Sequence, residues 1–297
     1  KIKLLPREVI QYVLNTKASK FKKFNKFIIF SKQYAYKDRV SDNLKNMYDY
    51  FIAGSDQIWN PYFEIVNTID FLTFAKPDQK IAYAASFGVS NLPVNKIDEY
   101  KKYLNDFRSI SVREVSGANI IRNLLQIDVP VVLDPTLLLT AKQWQLVEKK
   151  VKVPGKYALI YLLGKNEAKL KLIKDVLRKQ GIDVFLDIKR KNKRDWEIGP
   201  SEFLYLIHNA SFIVTDSFHG TVFSFLYHKP VVILEREGVD MFSRIETLLK
   251  LFDLDELKFD EKNSNQFLNV NIDYSLIEQK LDEKRKESIE YLINSFS

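Results

Sequence analysis

The chain has 297 residues, of which 46% are hydrophobic and 28% charged, with a formal net charge of +8 and no cysteine. That length permits two domains with a sizeable core, and the composition is that of a globular protein. The missing cysteines exclude disulfides, thiolate metal sites and a cysteine nucleophile, in keeping with a reducing compartment, and no apolar run approaches the roughly 20 residues of a membrane span.

The positive charge admits three partner classes: nucleic acid, an anionic membrane surface or an anionic small substrate. The lysines are spread through amphipathic stretches such as residues 166–180, where they read as solvated helix faces, so no nucleic-acid partner is expected. The densest cluster, DIKRKNKRDWE at 187–197, reads as a loop between a strand and a helix that an anionic substrate or lipid head group can meet.

Residues 1–48 are rich in lysine and aromatics, with helical spacing over 7–30 and no convincing strand. From Tyr48 onward short apolar runs alternate with amphipathic stretches, the pattern of β-α units in a parallel sheet. The runs predict strands near 49–54, 80–86, 109–113 and 129–133, with helices near 94–106, 114–124 and 140–149. After the linker-like VKVPGK, a second series predicts strands near 157–163, 183–187, 211–215 and 230–234. Its helices fall near 166–180, 200–209, 219–227 and 240–251. The expected architecture is α/β, with two Rossmann-like domains (1–150 and 151–297) facing a cleft. In the tail, Leu276, Leu281, Ile289, Leu292 and Ile293 form a helical stripe suited to packing back on the first domain.

Ligands of open α/β sheets sit beyond the carboxyl ends of strands. Five such ends carry polar residues here: Gly54-Ser55-Asp56-Gln57, Ser86-Phe87-Gly88, Arg113-Glu114, Asp134-Pro135-Thr136 and Asp216-Ser217-Phe218-His219-Gly220. Each alone reads equally as a helix cap. A helix starting at Ser217–Gly220 offers backbone N–H groups and a dipole to an anion, Gly220 allows close approach, and His219 is placed to bind an anion or move a proton. The competing reading makes Asp216 or Ser217 a plain cap and His219 a satisfied polar residue, and the stretch by itself supports both. His208 reads as partly buried at an interface, and His228 as a histidine at a helix end. Arg113 is suited to fork onto a carboxylate or phosphate, or to pair with Glu114 or another residue of its domain. Arg244 faces the same cleft or lies on a solvated helix face.

No G-x-G-x-x-G, P-loop, zinc spacing or G-x-S-x-G is present, and Asp253-Leu254-Asp255 reads as a charged surface turn rather than a metal-binding pair.

Five motifs in order, GSDQIWNP (54–61), YAASFG (83–88), SVREVSG (111–117), VLDPTLLL (132–139) and TDSFHGTVFSFLYHKP (215–230), resemble the polysaccharide pyruvyl transferase family over about residues 48–252. The resemblance implies a GT-B-like pair of Rossmann-like domains, an N-terminal β-α unit lying before Lys1, and transfer of the pyruvyl group of phosphoenolpyruvate to a sugar of a surface polysaccharide or its precursor. It implies that His219 and Arg113 meet phosphoenolpyruvate and that Ser217, Phe218, His219 and Gly220 form the turn holding its phosphate or carboxylate. Some members carry an arginine where Ser217 stands, which transfers that duty to Arg244 or Lys229. His219, Asp56 and Asp216 are the expected catalytic residues, with Arg113, Ser217, Phe218, Gly220, Ser55, Ser86 and Arg244 binding substrate. The donor is a substrate, and neither a cofactor nor a metal is implied. The remaining expectations are a saccharide acceptor, free or lipid-linked, and a cytoplasmic location that allows peripheral association with the inner face of the membrane. The alternatives are a GT-B glycosyltransferase using a nucleotide sugar and a non-catalytic carbohydrate-binding protein on the same fold.

Overall fold

The computed structural model describes residues 19–27, 35–36, 39–40, 43–63, 68–188, 198–236 and 241–297. Nine residues of the basic cluster, 189–197, lie outside them, as does most of the helical pattern predicted over 7–30. What is described of that pattern is a helix over 19–24 (α1). Where no strand was predicted, β1 (Ala35–Tyr36) pairs antiparallel with β2 (Arg39–Val40). Two residues a side are too few to register as an alternating pattern.

The chain forms two compact, discontinuous units: Ser31–Leu138 with Gly238–Asp255 and Asp273–Ser297, and Lys1–Phe30 with Leu139–Glu237 and Glu256–Ile272. Each is α/β with a parallel sheet.

In the first, β3 (Phe51–Ala53), β4 (Lys80–Ala85) and β5 (Ser109–Val112) pair in that order. Helices α2 (Ile97–Leu104) and α3 (Val115–Leu125) follow β4 and β5. Every residue of β4 is buried, as expected of a central parallel strand covered on both faces. The strand predicted near 129–133 reduces to a single bridge, Val112 to Val131. Pro130 can accept from Val112 N (3.1 Å) but has no N–H to donate, and Asp134-Pro135 turns the chain into a 3-10 turn, Pro135–Leu137.

The core of this unit is aromatic. Trp59 is fully buried and stacked parallel to Phe71 at 5.8 Å between centroids, with Phe87 and Phe107 against it. Its indole N–H donates to Asp70 O (3.1 Å), which satisfies the one polar atom of the ring. The apolar members of GSDQIWNP and YAASFG are therefore core, and only their polar members reach strand ends.

Helix α9 (Tyr274–Ser295) belongs to the same unit and buries only part of the stripe its leucines and isoleucines suggest: Leu281 is fully buried and Leu292 packs against Tyr83, Ala84 and Val132. Leu276, Ile289 and Ile293 are exposed, and the buried positions are Ile277, Leu281, Arg285, Ser288 and Ser295. The reason is hydrogen bonding. The register of β4 on β5 shifts between Ala82 and Ala85, with Ala84 in the left-handed region (φ 53°). Tyr291 OH and Ser111 Oγ donate to Ala82 O at 2.9 and 3.0 Å. Leu133 N donates to Ser288 Oγ (3.0 Å), and Arg285 Nε donates to Leu137 O (2.8 Å). Buried backbone groups that lack ladder partners must find others, and here polar side chains of α9 supply them.

In the second unit the strand order is β7 (Phe185–Asp187), β6 (Ala158–Tyr161), β8 (Phe212–Thr215), β9 (Val231–Ile233), all parallel. α4 (Ala141–Gln145) precedes this sheet, and α5 (Glu167–Lys179), α6 (Pro200–His208) and α7 (Phe218–Leu226) connect its strands. Ala158, Ile160, Ile173, Leu177, Val214 and Val232 make the core. Because β7 and β8 lie on opposite sides of β6, the carboxyl ends of β6 and β8 flank the switch point where such sheets bind ligands.

Candidate functional site

The first unit gathers Ser55, Asp56, Ser86, Arg113 and Arg244 with three strand-end residues not counted from sequence among the catalytic or substrate-binding ones: Gln57, Glu114 and Asp134. Arg244 is carried by α8 (Ser243–Phe252), which returns to this unit. It is buried, so the solvated-face reading of Arg244 is overturned. The Arg113 side chain is 1% exposed and engaged on both terminal guanidinium nitrogens: Nη1 with Asp134, itself buried, and Nη2 with Asp56 Oδ1 at 3.2 Å. Asp134 also accepts from Ser55 Oγ (2.7 Å), Thr136 N (2.9 Å) and Thr136 Oγ1 (2.6 Å). Arg113 thus joins the ends of three chain segments, with Asp134 as its partner inside.

Asp56 differs from Asp134 in being 65% exposed, and it sits between two guanidinium groups, with Arg244 Nη1 3.8 Å from the same Oδ1. Its backbone is left-handed (φ 71°), held by a bridge to Ala85 and by Ser86 N donating to Asp56 O (3.0 Å). With the Gln57 amide oxygen turned toward Arg244, it accepts from Nη2 at 2.8 Å and Nη1 at 3.1 Å. Gln57 lies within GSDQ, so its motif was visible while its role was not.

Glu114 closes this cluster from below. It is fully buried, and its Oε1 accepts from Ser86 Oγ (2.9 Å), Phe87 N (2.9 Å) and Gly88 N (3.2 Å). Burial pushes its carboxyl above the ordinary glutamate range, against the opposing pull of Arg113, the Gly88 and Ser86 hydrogen bonds and Arg244. Gly88 itself has φ 66°, and a Cβ there would run into the Gln57 amide. Gly88→Ala is expected to cost about 1–2 kcal/mol in backbone strain alone, with the clash adding to it, read as a lowered urea midpoint.

The second unit carries Asp216, Ser217, Phe218, His219 and Gly220 at the switch point. Ser217 is the N-cap of α7, its Oγ accepting from Gly220 N at 3.3 Å. Gly220 is required by close packing: a Cβ would meet Thr215 Oγ1, the atom that donates to Tyr161 O (2.8 Å) and accepts from Ser217 N (3.1 Å). The Asp216 side chain is fully buried and accepts from Leu163 N and from Gly164 N (2.7 Å), tying the end of β8 to the end of β6. Phe218 is buried, and the half-buried His219 ring stands edge-on to it at 5.4 Å.

A cation lies beside this turn, and sequence reasoning missed it. Arg236 donates from Nη2 to Asp216 O (3.2 Å), and its Nε is 3.5 Å from Asp216 Oδ2. Of the two residues named from sequence for a cationic contact, Arg244 is carried by the first unit. Lys229 lies past the C-terminal end of α7, and burial pushes it below the ordinary lysine range against the charge of Glu148. Arg236 sits between two glutamates in LEREG, which reads as surface charge and gives no signal. Tyr161, at the end of β6, was also missed. Burial raises its phenol, offset by a Ser217 hydrogen bond and the Arg236 charge.

The other histidines fall elsewhere in this unit. His208 stacks on Tyr227 at 4.7 Å, with Nδ1 3.1 Å from a Glu148 oxygen. His228 lies just past the C-cap of α7 with φ 53°. Asp253 pairs with Lys280 at 2.7 Å, and among the described residues no group of three His, Asp or Glu is arranged to hold a metal. Among the same residues no helix is long and apolar enough to cross a membrane.

The family model described as polysaccharide pyruvyl transferase matches residues 6–238. No curated protein matches the chain. Among solved structures, the crystal structure of the glycotransferase of kitacinnamycin is similar at 14% identity and a TM-score of 0.29 over 73% of this chain. The matched region spans 66% of that protein's chain, just under two thirds of its length.

Proposed function

The chain belongs to the polysaccharide pyruvyl transferase family, a family of transferases, and from that premise we propose that it moves the pyruvyl group of phosphoenolpyruvate onto a saccharide. The acceptor in this reading is a sugar of a surface polysaccharide or its lipid-linked precursor, met at the inner face of a membrane by two Rossmann-like domains in a GT-B-like arrangement. The observation that carries the reading is the turn at the β6/β8 switch point. There a capped helix N-terminus presents His219, with the Arg236 guanidinium bonded to the same turn.

The chemistry asks for an acid, a base and cations. Protonation of the methylene carbon of phosphoenolpyruvate makes the neighbouring carbon electrophilic, and a sugar hydroxyl adds there as its proton passes to a base. A second hydroxyl then displaces inorganic phosphate, its proton leaving too, and closes the ketal. His219 is assigned the proton transfer or the phosphate contact. Ser217, Phe218 and Gly220 shape the turn, and Arg236 supplies positive charge beside it. Arg113 and Arg244 are assigned the anionic end of a substrate through the site occupied by the exposed Asp56 carboxylate. Ser55 and Ser86 hold the strand ends on which these groups stand. Asp216 is assigned to anchoring the turn, because its carboxylate is committed to the Leu163 and Gly164 amides.

Calorimetric titration of phosphoenolpyruvate into the chain tests the donor. Binding is expected, and His219→Ala is expected to lower transfer by about 10²–10⁴-fold, the usual size of an acid-base contribution, while unfolding at the wild-type urea midpoint. Unchanged transfer in that variant removes His219 from the chemistry. Binding of a uridine or guanosine diphosphate but not phosphoenolpyruvate overturns the donor and favours a nucleotide-sugar glycosyltransferase.

A further inference from the structure

The two oxygens of Glu114 are not equivalent. Oε1 receives three donors, Ser86 Oγ, Phe87 N and Gly88 N, whereas Oε2 is equally buried and has no hydrogen-bond partner. An ionised carboxylate shares its charge between both oxygens, and a buried anionic oxygen without a donor is among the costliest arrangements in a protein interior. A neutral acid fits the same geometry at lower cost, with Oε1 as the carbonyl acceptor and Oε2 as the hydroxyl. Buried carboxyls held neutral near pH 7 are a known device of apolar sites.

The charges facing Glu114 are Arg113, its neighbour at the end of β5, and Arg244 from α8, while the turn after β4 contributes only the three neutral donors. Both guanidinium groups are already set against carboxylates, Arg113 against Asp134 and Asp56 and Arg244 against Asp56. With Glu114 neutral, two positive charges meet two negative ones. With Glu114 ionised they meet three, and an anionic ligand approaching the pair is repelled.

We propose that Glu114 is a positioning residue kept as a neutral carboxylic acid, fixing the Ser86–Gly88 turn through Oε1 without setting a third negative charge against Arg113 and Arg244 when an anionic substrate group approaches. The part concerning substrate rests on the phosphoenolpyruvate reading above; the protonation state does not.

Three measurements on the full chain and on Glu114→Gln test it. The amide keeps a carbonyl for the three donors and removes only the ionisation. The wild-type infrared spectrum at neutral pH is expected to show the C=O stretch of a protonated carboxyl that Glu114→Gln lacks, and its absence from the wild type overturns the proposal. Stability gives a second readout. A folded carboxyl that holds its proton above the ordinary glutamate range is matched by an unfolded one that has released it, so stability falls as pH rises from that range toward the folded pKa. Glu114→Gln lacks this fall, and its Tm advantage over wild type is expected to widen with pH; parallel Tm profiles overturn the proposal. The wild-type slope is readable even where the variant folds poorly.

The third readout is phosphoenolpyruvate affinity. It is expected to weaken in the wild type as Glu114 ionises, by up to about tenfold per pH unit, and to stay level over the same range in Glu114→Gln. The comparison cancels the ligand's own ionisation, and identical slopes overturn the link to substrate. Binding to neither protein counts against the donor reading alone, because the infrared and Tm results still decide the state of Glu114.

Discussion

Replacing Arg113 with methionine is expected to destabilise the chain by about 3–5 kcal/mol, the usual cost of removing one partner from a buried ion pair. Nearly all of that loss falls on Asp134. Its side chain is 2% exposed, and without the guanidinium it keeps its charge in the interior with Ser55 Oγ and the two Thr136 donors alone. Asp56 contributes little to the loss, because it is 65% exposed and water replaces its partner. The double variant Arg113→Met/Asp134→Asn is therefore expected to recover most of the stability. Asparagine still accepts from Ser55 or Thr136, and no unpaired charge is left behind. Urea unfolding of the four proteins gives the coupling directly. Additive losses would mean that Asp134 does not depend on Arg113, and the pair would no longer explain why an arginine is buried at the end of β5. The double variant also separates two duties. If Arg113 meets an anionic substrate, Arg113→Met/Asp134→Asn folds but does not bind phosphoenolpyruvate.

Most of the architecture is legible because parallel strands buried on both faces read as continuous apolar runs. KIAYAA, SISV, ALIY, FIVT and VVI all lie where those runs place them. What stays hidden depends on contacts distant in sequence. The face of α9 that packs is chosen by backbone groups near Ala82, Leu133 and Leu137, so Arg285 and Ser288 are buried while Ile289 and Ile293 are not. The two compact units each draw on separated stretches of chain, which no local pattern records. At the strand ends the identities of the polar residues are legible and their orientation is not. Arg113 has the same spacing whether it points outward or inward, and what turns it inward is Asp134, brought beside it by the bridge between Val112 and Val131. Arg236 lies outside every motif, and only the fold brings it to Asp216.

Asp216→Ala is expected to cost about 3–5 kcal/mol through a different mechanism. No charge is stranded by this change; two backbone N–H groups, those of Leu163 and Gly164, lose their acceptor, at about 1–3 kcal/mol each where water cannot replace it. Arg236 adds little, since its side chain is 17% exposed and its bond to Asp216 O survives the substitution. Asp216→Asn is expected to fall between wild type and alanine, because its one oxygen serves one amide while its NH2 faces the other donor. Hydrogen exchange at the Leu163 and Gly164 amides locates the loss, and faster exchange there in Asp216→Ala is the expected result. The same series decides what the carboxylate does. An anchor predicts that transfer by Asp216→Asn declines along with the order of the β6/β8 turn, and that phosphoenolpyruvate, by binding the turn, restores part of both. A group that takes a proton from the acceptor hydroxyl predicts the reverse: a stable Asp216→Asn protein with wild-type exchange at both amides and almost no transfer.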